Sequence, residues 1–427
     1  MNANARPAAV LGGIRIPFAR QNGPYARASN QDMMTATLAA LISKFSLEDE
    51  TLGEVSAGGV LKHSRDFNLT RECVLGTRLD PHTPAFDVQQ ACGTGLEATI
   101  LVANKIALGQ VDSAIAGGFD TTSDAPIAIN EDLRQVLLEA NRAKSNAARV
   151  KALAKLRPQQ IVPHIPRNAE PRTGLSMGEH AAIMATDWGV TREEQDELTV
   201  ASHRNLAAAY DTGFLDDLVI PFLGVERDQN LRPDTSVEKL AKLKPVFGGE
   251  NGTMTAGNST PLSDGASAVL LANEDWAAAH NLPVQAYITD AQTAAVDHVH
   301  AREGLLMAPT YAVPTLLERN NLTLQDFDFY EIHEAFAAQV LCTLKAWEDP
   351  VYCRERLGLD QPLGSIDRDK LNTHGGSLAA GHPFGATGGR IVAGLAKTLA
   401  GRGSGSRGLI SICAAGGLGV TAIMEAA

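Results

Sequence analysis

No CxxC pair occurs in this sequence, and its five cysteines (Cys73, Cys92, Cys342, Cys353 and Cys413) are scattered along 427 residues. A sparse, odd-numbered set suggests neither a disulfide framework nor a zinc knuckle. Reduced thiols in a cytosol-like compartment are the expectation, hence a cytoplasmic protein. No run of about 20 apolar residues is present, so no spanning helix is expected. The opening "MNANARPAAVLGG" lacks a basic segment followed by a long apolar run, and a signal peptide is not expected. Positive charge is not in excess either. The formal net charge of -12 excludes a nucleic-acid binder by charge. A last absence concerns "IHEAF", residues 332–336. His333 and Glu334 open like the His-Glu-x-x-His zinc helix, but the second histidine, due one turn on, is replaced by Ala337. No metal site is expected there, and His333 needs another role or none.

What is present is a globular composition: 44% apolar, 20% charged and 39 glycines. The length suffices for two or three domains with sizeable cores. Two regions share an order of elements. Residues 89–118, "QQACGTGLEATILVANKIALGQVDSAIAGG", and residues 381–417 each run from a Gly-rich turn through an apolar helix to a short strand ending in Gly-Gly. That order predicts duplicated α/β halves rather than one continuous sheet. Residues 121–250 differ in character. Arg142, Lys144, Arg149, Lys151, Lys155 and Arg157 fall between 140 and 160 without an acid. Val150, Leu153 and Leu156 are at helical spacing on one face. The plain reading is a solvated helix face; the sharper ones are a surface for a polyphosphate, a partner subunit or a membrane.

Three short segments carry chemistry. In "DVQQACGTG", Cys92 stands at a turn before a helix that begins near Gly93 or Thr94. The positive end of a helix dipole favours thiolate, and glycines there let substrate approach backbone N–H groups. The competing reading is a small buried apolar residue. In "GHPFGATGG", His382 lies in a Gly-rich loop before a second helix, placed to serve as the base a nucleophilic thiol needs. In "ISICAAGGLG", Cys413 ends an apolar strand. A base with a second thiol that exchanges a proton with carbon suits Claisen chemistry better than hydrolysis.

Taken in order, "GGIRIPFAR", "QQACGTGLEA", "LRPDTSVEKLAKLKPVF", "GTMTAGNSTPLSDGASAVLL", "HEAFAAQ", "GGSLAAGHPFGATGGR" and "CAAGGLG" resemble the thiolase family nearly end to end. The resemblance implies an α/β thiolase fold: duplicated halves in five layers, α-β-α-β-α, with an inserted loop domain. The expected division is 1–120 with 251–280 for the N-terminal half, 121–250 for the loop domain and 281–427 for the C-terminal half. Residue by residue, it implies Cys92 as acylated nucleophile, His382 as base and Cys413 as acid/base at the α-carbon. The amides of Cys92 and Ala415 would form one oxyanion hole, and His382 with His333 the other. Many thiolases carry Asn where His333 stands; the histidine and the long basic insertion resemble the β-subunit type of trifunctional fatty-acid oxidation complexes.

Arg232, Met177, Ala256 and Thr260 match positions along the coenzyme A path, against plainer readings of Arg232 as a solvated arginine and Met177 as core packing. The resemblance implies thiolysis of 3-ketoacyl-CoA in β-oxidation, with coenzyme A as substrate and no permanently bound cofactor. The alternatives are condensation of two acetyl-CoA or a scaffold subunit. Expected partners are a homodimer or homotetramer, a hydratase/dehydrogenase subunit and a membrane surface touching residues 131–165.

Overall fold

The computed structural model describes residues 7–427. In chain order the N-terminal half contributes the strands Ala8–Arg15, Glu54–Ala57, Ala85–Asp87, Ser113–Asp120 and Ser263–Ala272. From the centre of the sheet outward they lie first, fifth, fourth, second, third. The C-terminal half contributes Ala286–Ala295, Phe329–Ile332, Arg407–Ala414 and Leu418–Ala426, which lie first, fourth, third, second. Strand directions match as well. In each half the first, last and penultimate strands are antiparallel neighbours, and the next strand out is parallel. The halves are therefore duplicates, the second lacking a counterpart of Ala85–Asp87 among the described residues.

The halves do not remain separate sheets. Their first strands pair antiparallel through Ala8↔Ile288, Ala9↔Tyr287 and Val10↔Ala286, so one hydrogen-bonded path crosses both. Left apart, each would present an open edge of unpaired N–H and C=O groups.

Both faces of each half-sheet are covered. The helices Asn30–Phe45 and Leu69–Leu75 pack outside the first half, and Ala308–Asn320 outside the second. Between the halves lie Thr94–Ala107 and Ala386–Arg402, which touch strands of both and each other. The result is five layers, α-β-α-β-α. Coverage on two sides explains why Ser113–Asp120 and Ser263–Ala272 are buried at every position and carry no polar alternation.

Between Asp120 and Ser263 the chain leaves the main sheet. It forms the helices Glu131–Arg142, Asn146–Leu153, Met177–Asp187 and Arg192–Asp211 and the small hairpin Pro245–Phe247/Met254–Thr255. This excursion is pinned back by Asp228. Its carboxylate takes both terminal nitrogens of Arg15 at 2.6 Å, the Phe18 amide at 2.7 Å and the Tyr210 hydroxyl at 3.0 Å, all buried. The apolar face expected of the basic helix points outward. Val150 is 67% exposed, Leu153 41%, and Leu156 lies beyond the helix end, while Ala152 is the buried residue.

Candidate active site

Two helix starts meet at the site. The helix Thr94–Ala107 begins just after Cys92, with Gly93 at its N-cap. Ala91, immediately before, has φ of 46°, in the left-handed region that a residue with a Cβ rarely occupies. That turn lifts Cys92 out of the chain path and leaves its thiol part-buried at the end of a pocket. The helix Ala386–Arg402 begins four residues after His382. His382 Nε2 lies 3.1 Å from Cys92 Sγ, and Nδ1 lies 2.7 Å from Oγ1 of Thr387, the second residue of that helix.

The strand Arg407–Ala414 brings Cys413 to the same pocket, and its parallel neighbour Phe329–Ile332 delivers His333, whose N–H donates to the Ser411 carbonyl at 2.8 Å. The rings of His333 and His382 have centroids 4.2 Å apart. His333 Nδ1 meets Ser377 Oγ at 3.1 Å, while its Nε2 is buried without a protein partner.

The electrostatics are those of a dry site. Burial pushes the Cys92 thiol up to about 12, although the N–H groups of Ala415 and of Cys92 itself face the sulfur and pull the other way. Burial, with the nearby Arg390 guanidinium, pushes His382 down to about 3. His333 is held well below the ordinary histidine range by burial and then by His382 and Arg390. Burial raises the Cys413 thiol well above its ordinary value, and the neighbouring Cys92 adds to this. The resting site thus holds two neutral thiols and two neutral imidazoles, with a free base beside Cys92.

A stability prediction follows. Below about pH 6.5 the unfolded chain protonates the two imidazoles, whereas the folded chain does not. Their contribution is fully present above about pH 6.5 and is lost as pH falls toward the depressed folded values. For His382, held at about 3, that is about 2 kcal/mol between about pH 6.5 and about pH 5, and His333 adds a loss of the same sign. The urea midpoint should fall between about pH 7 and about pH 5, and fall less in His333→Asn, which has one such ring fewer. An equal fall in both proteins would contradict the buried, neutral His333.

The pocket is narrow, about 70 Å3, and its walls are largely apolar: Met177, Leu262, Leu306, Phe336 and Phe384, with Thr260 and Asn168 at the polar positions. Thr260 Oγ1 donates to the Ala335 carbonyl at 2.9 Å, fixing the loop that follows His333. Of the residues singled out from sequence, Cys92, His382, Cys413, Met177 and Thr260 share this pocket, and His333 stands behind His382. Ala256 and Arg232 are exposed and do not line it; the Arg232 guanidinium donates to the carbonyls of Gln229 and Leu231. Sequence reasoning did not find Phe384, Leu306 or Phe336 in the wall, nor Ser377, Thr387 and Arg390 around the histidines. A hydroxyl five residues to either side of His382 was the available signal. As for a metal, donor atoms of Cys92, His333 and His382 lie within 4.8 Å of one another, a span a soft divalent cation could bridge only by breaking the Cys92–His382 bond.

Two halves of one α/β unit, with a thiol–imidazole pair where their inner helices begin, define an acyltransferase. The chain belongs to the thiolase family: residues 8–275 match the thiolase N-terminal domain and 282–426 the thiolase C-terminal domain. It is 39% identical over 422 residues to the 3-ketoacyl-CoA thiolase of Yersinia pestis (strain Pestoides F), covering 97% of this chain and 96% of that one. The 3-ketoacyl-CoA thiolase of Yersinia pseudotuberculosis (strain YPIII) shows the same identity and coverage. Among solved structures, human mitochondrial 3-ketoacyl-CoA thiolase (TM-score 0.79) and the Bacillus anthracis acetyl-CoA acetyltransferase (TM-score 0.80) are each 28% identical, over all of both chains.

Proposed function

We propose that this protein is a 3-ketoacyl-CoA thiolase that uses coenzyme A to cleave its substrate into acetyl-CoA and a shortened acyl-CoA. The observation that carries the reading is the 3.1 Å contact between Cys92 Sγ and a neutral His382 Nε2, in a pocket that also holds Cys413. His382 takes the Cys92 proton, and the thiolate attacks the 3-keto carbon. The amides of Cys92 and Ala415, which face the sulfur, receive the charge on that oxygen. The C2–C3 bond breaks with its electron pair on C2. Cys413, kept protonated by burial, supplies the proton that completes acetyl-CoA. His382, now charged, and His333 donate to the thioester oxygen of the departing enolate. The proton that left Cys92 makes good the one Cys413 gave. Coenzyme A then enters, His382 takes its thiol proton, the coenzyme A sulfur bonds to the acyl carbon as the Cys92 C–S bond breaks, and His382 returns the proton to Cys92. Two half-reactions through one covalent intermediate predict ping-pong kinetics.

The apolar walls favour a tail longer than acetyl and degradation over synthesis. Condensation of two acetyl-CoA is the second reading, supported by the fold shared with an acetyltransferase. Thiolysis rates across substrates from roughly C4 to roughly C16 decide between them. The expected result is activity that extends to the longer chains; a sharp preference for the shortest would favour the second reading.

Coenzyme A enters past Met177 and Thr260, with its nucleotide end toward the exposed Ala256 and Arg232. We assign 1–120 with 251–280 to one half, 121–250 to the loop domain and 281–427 to the other half, in a cytoplasmic homodimer or homotetramer. A docking role for residues 131–165, toward a membrane or a hydratase/dehydrogenase subunit, is supported by the outward apolar side chains Val150, Ile161 (67% exposed) and Ile165 (69%) beside Arg149 and Lys151. Among the described residues no helix is long and apolar enough to cross a membrane.

A further inference from the structure

We propose that two hydroxyls hold the histidines of the site in opposite tautomers: Thr387 leaves His382 Nε2 a proton acceptor toward Cys92, and Ser377, oriented by Arg390, leaves His333 Nε2 a donor beside His382. The inference rests on the reading of Cys92, His382 and His333 given above and names what enforces their division of labour.

The assignment comes from counting protons. The Thr387 hydroxyl donates to the Pro383 carbonyl at 3.2 Å, one turn back in the chain. With its proton so committed, Oγ1 meets His382 Nδ1 at 2.7 Å as an acceptor, and Nδ1 carries the hydrogen. A neutral imidazole has one N–H, so Nε2 presents a lone pair to the Cys92 thiol. Ser377 is arranged the other way. Arg390 can only donate, and its Nη2 reaches Ser377 Oγ at 3.3 Å. The serine oxygen is thereby the acceptor of that bond, and its proton is left for His333 Nδ1 at 3.1 Å. His333 then carries its hydrogen on Nε2, the buried atom without a protein partner.

The reverse tautomer of His333 would bring two donors onto one serine oxygen and strand the serine proton in a fully buried position. It would also aim a lone pair at the oxygen where enolate charge develops, beside the N–H that His382 carries once it has taken the Cys92 proton. Arg390 is itself part-buried, near Glu331 and Glu334 and bonded to the carbonyl of Gly375, and its Nε is buried without a partner. Its guanidinium is therefore held in a fixed place from which to direct Ser377. Ser377 and Arg390 touch no substrate atom in this scheme; they are positioning residues that act through His333.

The test is a nitrogen-15 spectrum of the whole enzyme labelled on histidine, with His333 and His382 signals identified by their loss in His333→Asn and His382→Asn. The expected result is a lone-pair Nδ1 with a protonated Nε2 for His333, and the reverse for His382. Both rings in one tautomer, or Nδ1 protonated on His333, would overturn the proposal. In Ser377→Ala the His333 signals should shift toward a mixture. Thiolysis should lose about 10- to 100-fold in kcat with KM within about twofold, because a donor to the transition state is weakened rather than a substrate contact removed. Ser377→Thr should recover most of the rate. An unchanged kcat in Ser377→Ala would also overturn the proposal. Absence of thiolysis in the wild type would refute the function instead, leaving the wild-type spectrum to decide the tautomers.

Discussion

Cys92→Ala is expected to lower thiolysis by at least about 10⁴-fold and to leave no acylated peptide when the protein is incubated with a long-chain acyl-CoA and examined by mass spectrometry. Alanine preserves the left-handed turn at Ala91 and the helix start, and it removes one part-buried sulfur, so the fold should survive. The informative comparison is Cys413→Ala. That change removes the acid that completes acetyl-CoA, so thiolysis should also collapse. Transfer of an acyl group from acyl-CoA to Cys92 needs only the Cys92–His382 pair, since no carbon is protonated in that step. Cys413→Ala should therefore still show a heavier Cys92 peptide while Cys92→Ala does not. Acylation lost in both variants would mean that Cys413 acts before the carbon–carbon bond breaks. Acylation retained in Cys92→Ala would place the nucleophile elsewhere.

The same pair shows what could be read before the fold was known. Cys92, His382 and Cys413 were legible because each sits where a Gly-rich turn joins an apolar helix or strand, a local pattern with a local cause. The duplicated halves followed from the repeated order of turn, helix and strand, whereas the five layers were implied only by the thiolase resemblance that the ordered motifs carry. The junction of the two half-sheets was not legible. Ala8 and Ile288 lie far apart in sequence, and nothing local marks the first strand of each half as the one that pairs with its twin. Ser377, Thr387 and Arg390 were hidden for a related reason. A serine or threonine near a histidine is unremarkable until donor directions are known, and those depend on Pro383 and on a guanidinium delivered by another turn of the helix. Helical spacing grouped Val150 and Leu153 correctly, but spacing does not say which way a stripe faces. Ala152 took the inward position.

The second large effect is expected where the two inner helices cross. A Cβ on Gly388 would lie 2.1 Å from the backbone nitrogen of Leu96 and 2.6 Å from the carbonyl carbon of Gly95, and one on Gly95 would lie 2.5 Å from the Gly385 carbonyl oxygen. These are backbone atoms on both sides, so no side chain can swing away; ordinary contact needs about 3.5 Å. Gly388→Ala must therefore separate the helices by an ångström or so, and the separation acts within one turn of both functional ends. Cys92 precedes one helix and His382 the other, so their 3.1 Å contact is set by how closely the helices cross. We expect Gly388→Ala to cost about 3 kcal/mol or more in unfolding free energy and to slow acylation at least about 10²-fold, and Gly388→Val to yield no soluble protein. Gly394→Ala is the control, on the same helix with nothing within 4 Å of its would-be Cβ. It should be neutral or stabilising by about 0.5–1 kcal/mol, since alanine restricts the unfolded chain and favours helix. Urea midpoints and acylation rates of the two variants, measured side by side, test the claim. If Gly388→Ala matched Gly394→Ala in both, close helix crossing would not be what holds thiol and imidazole together.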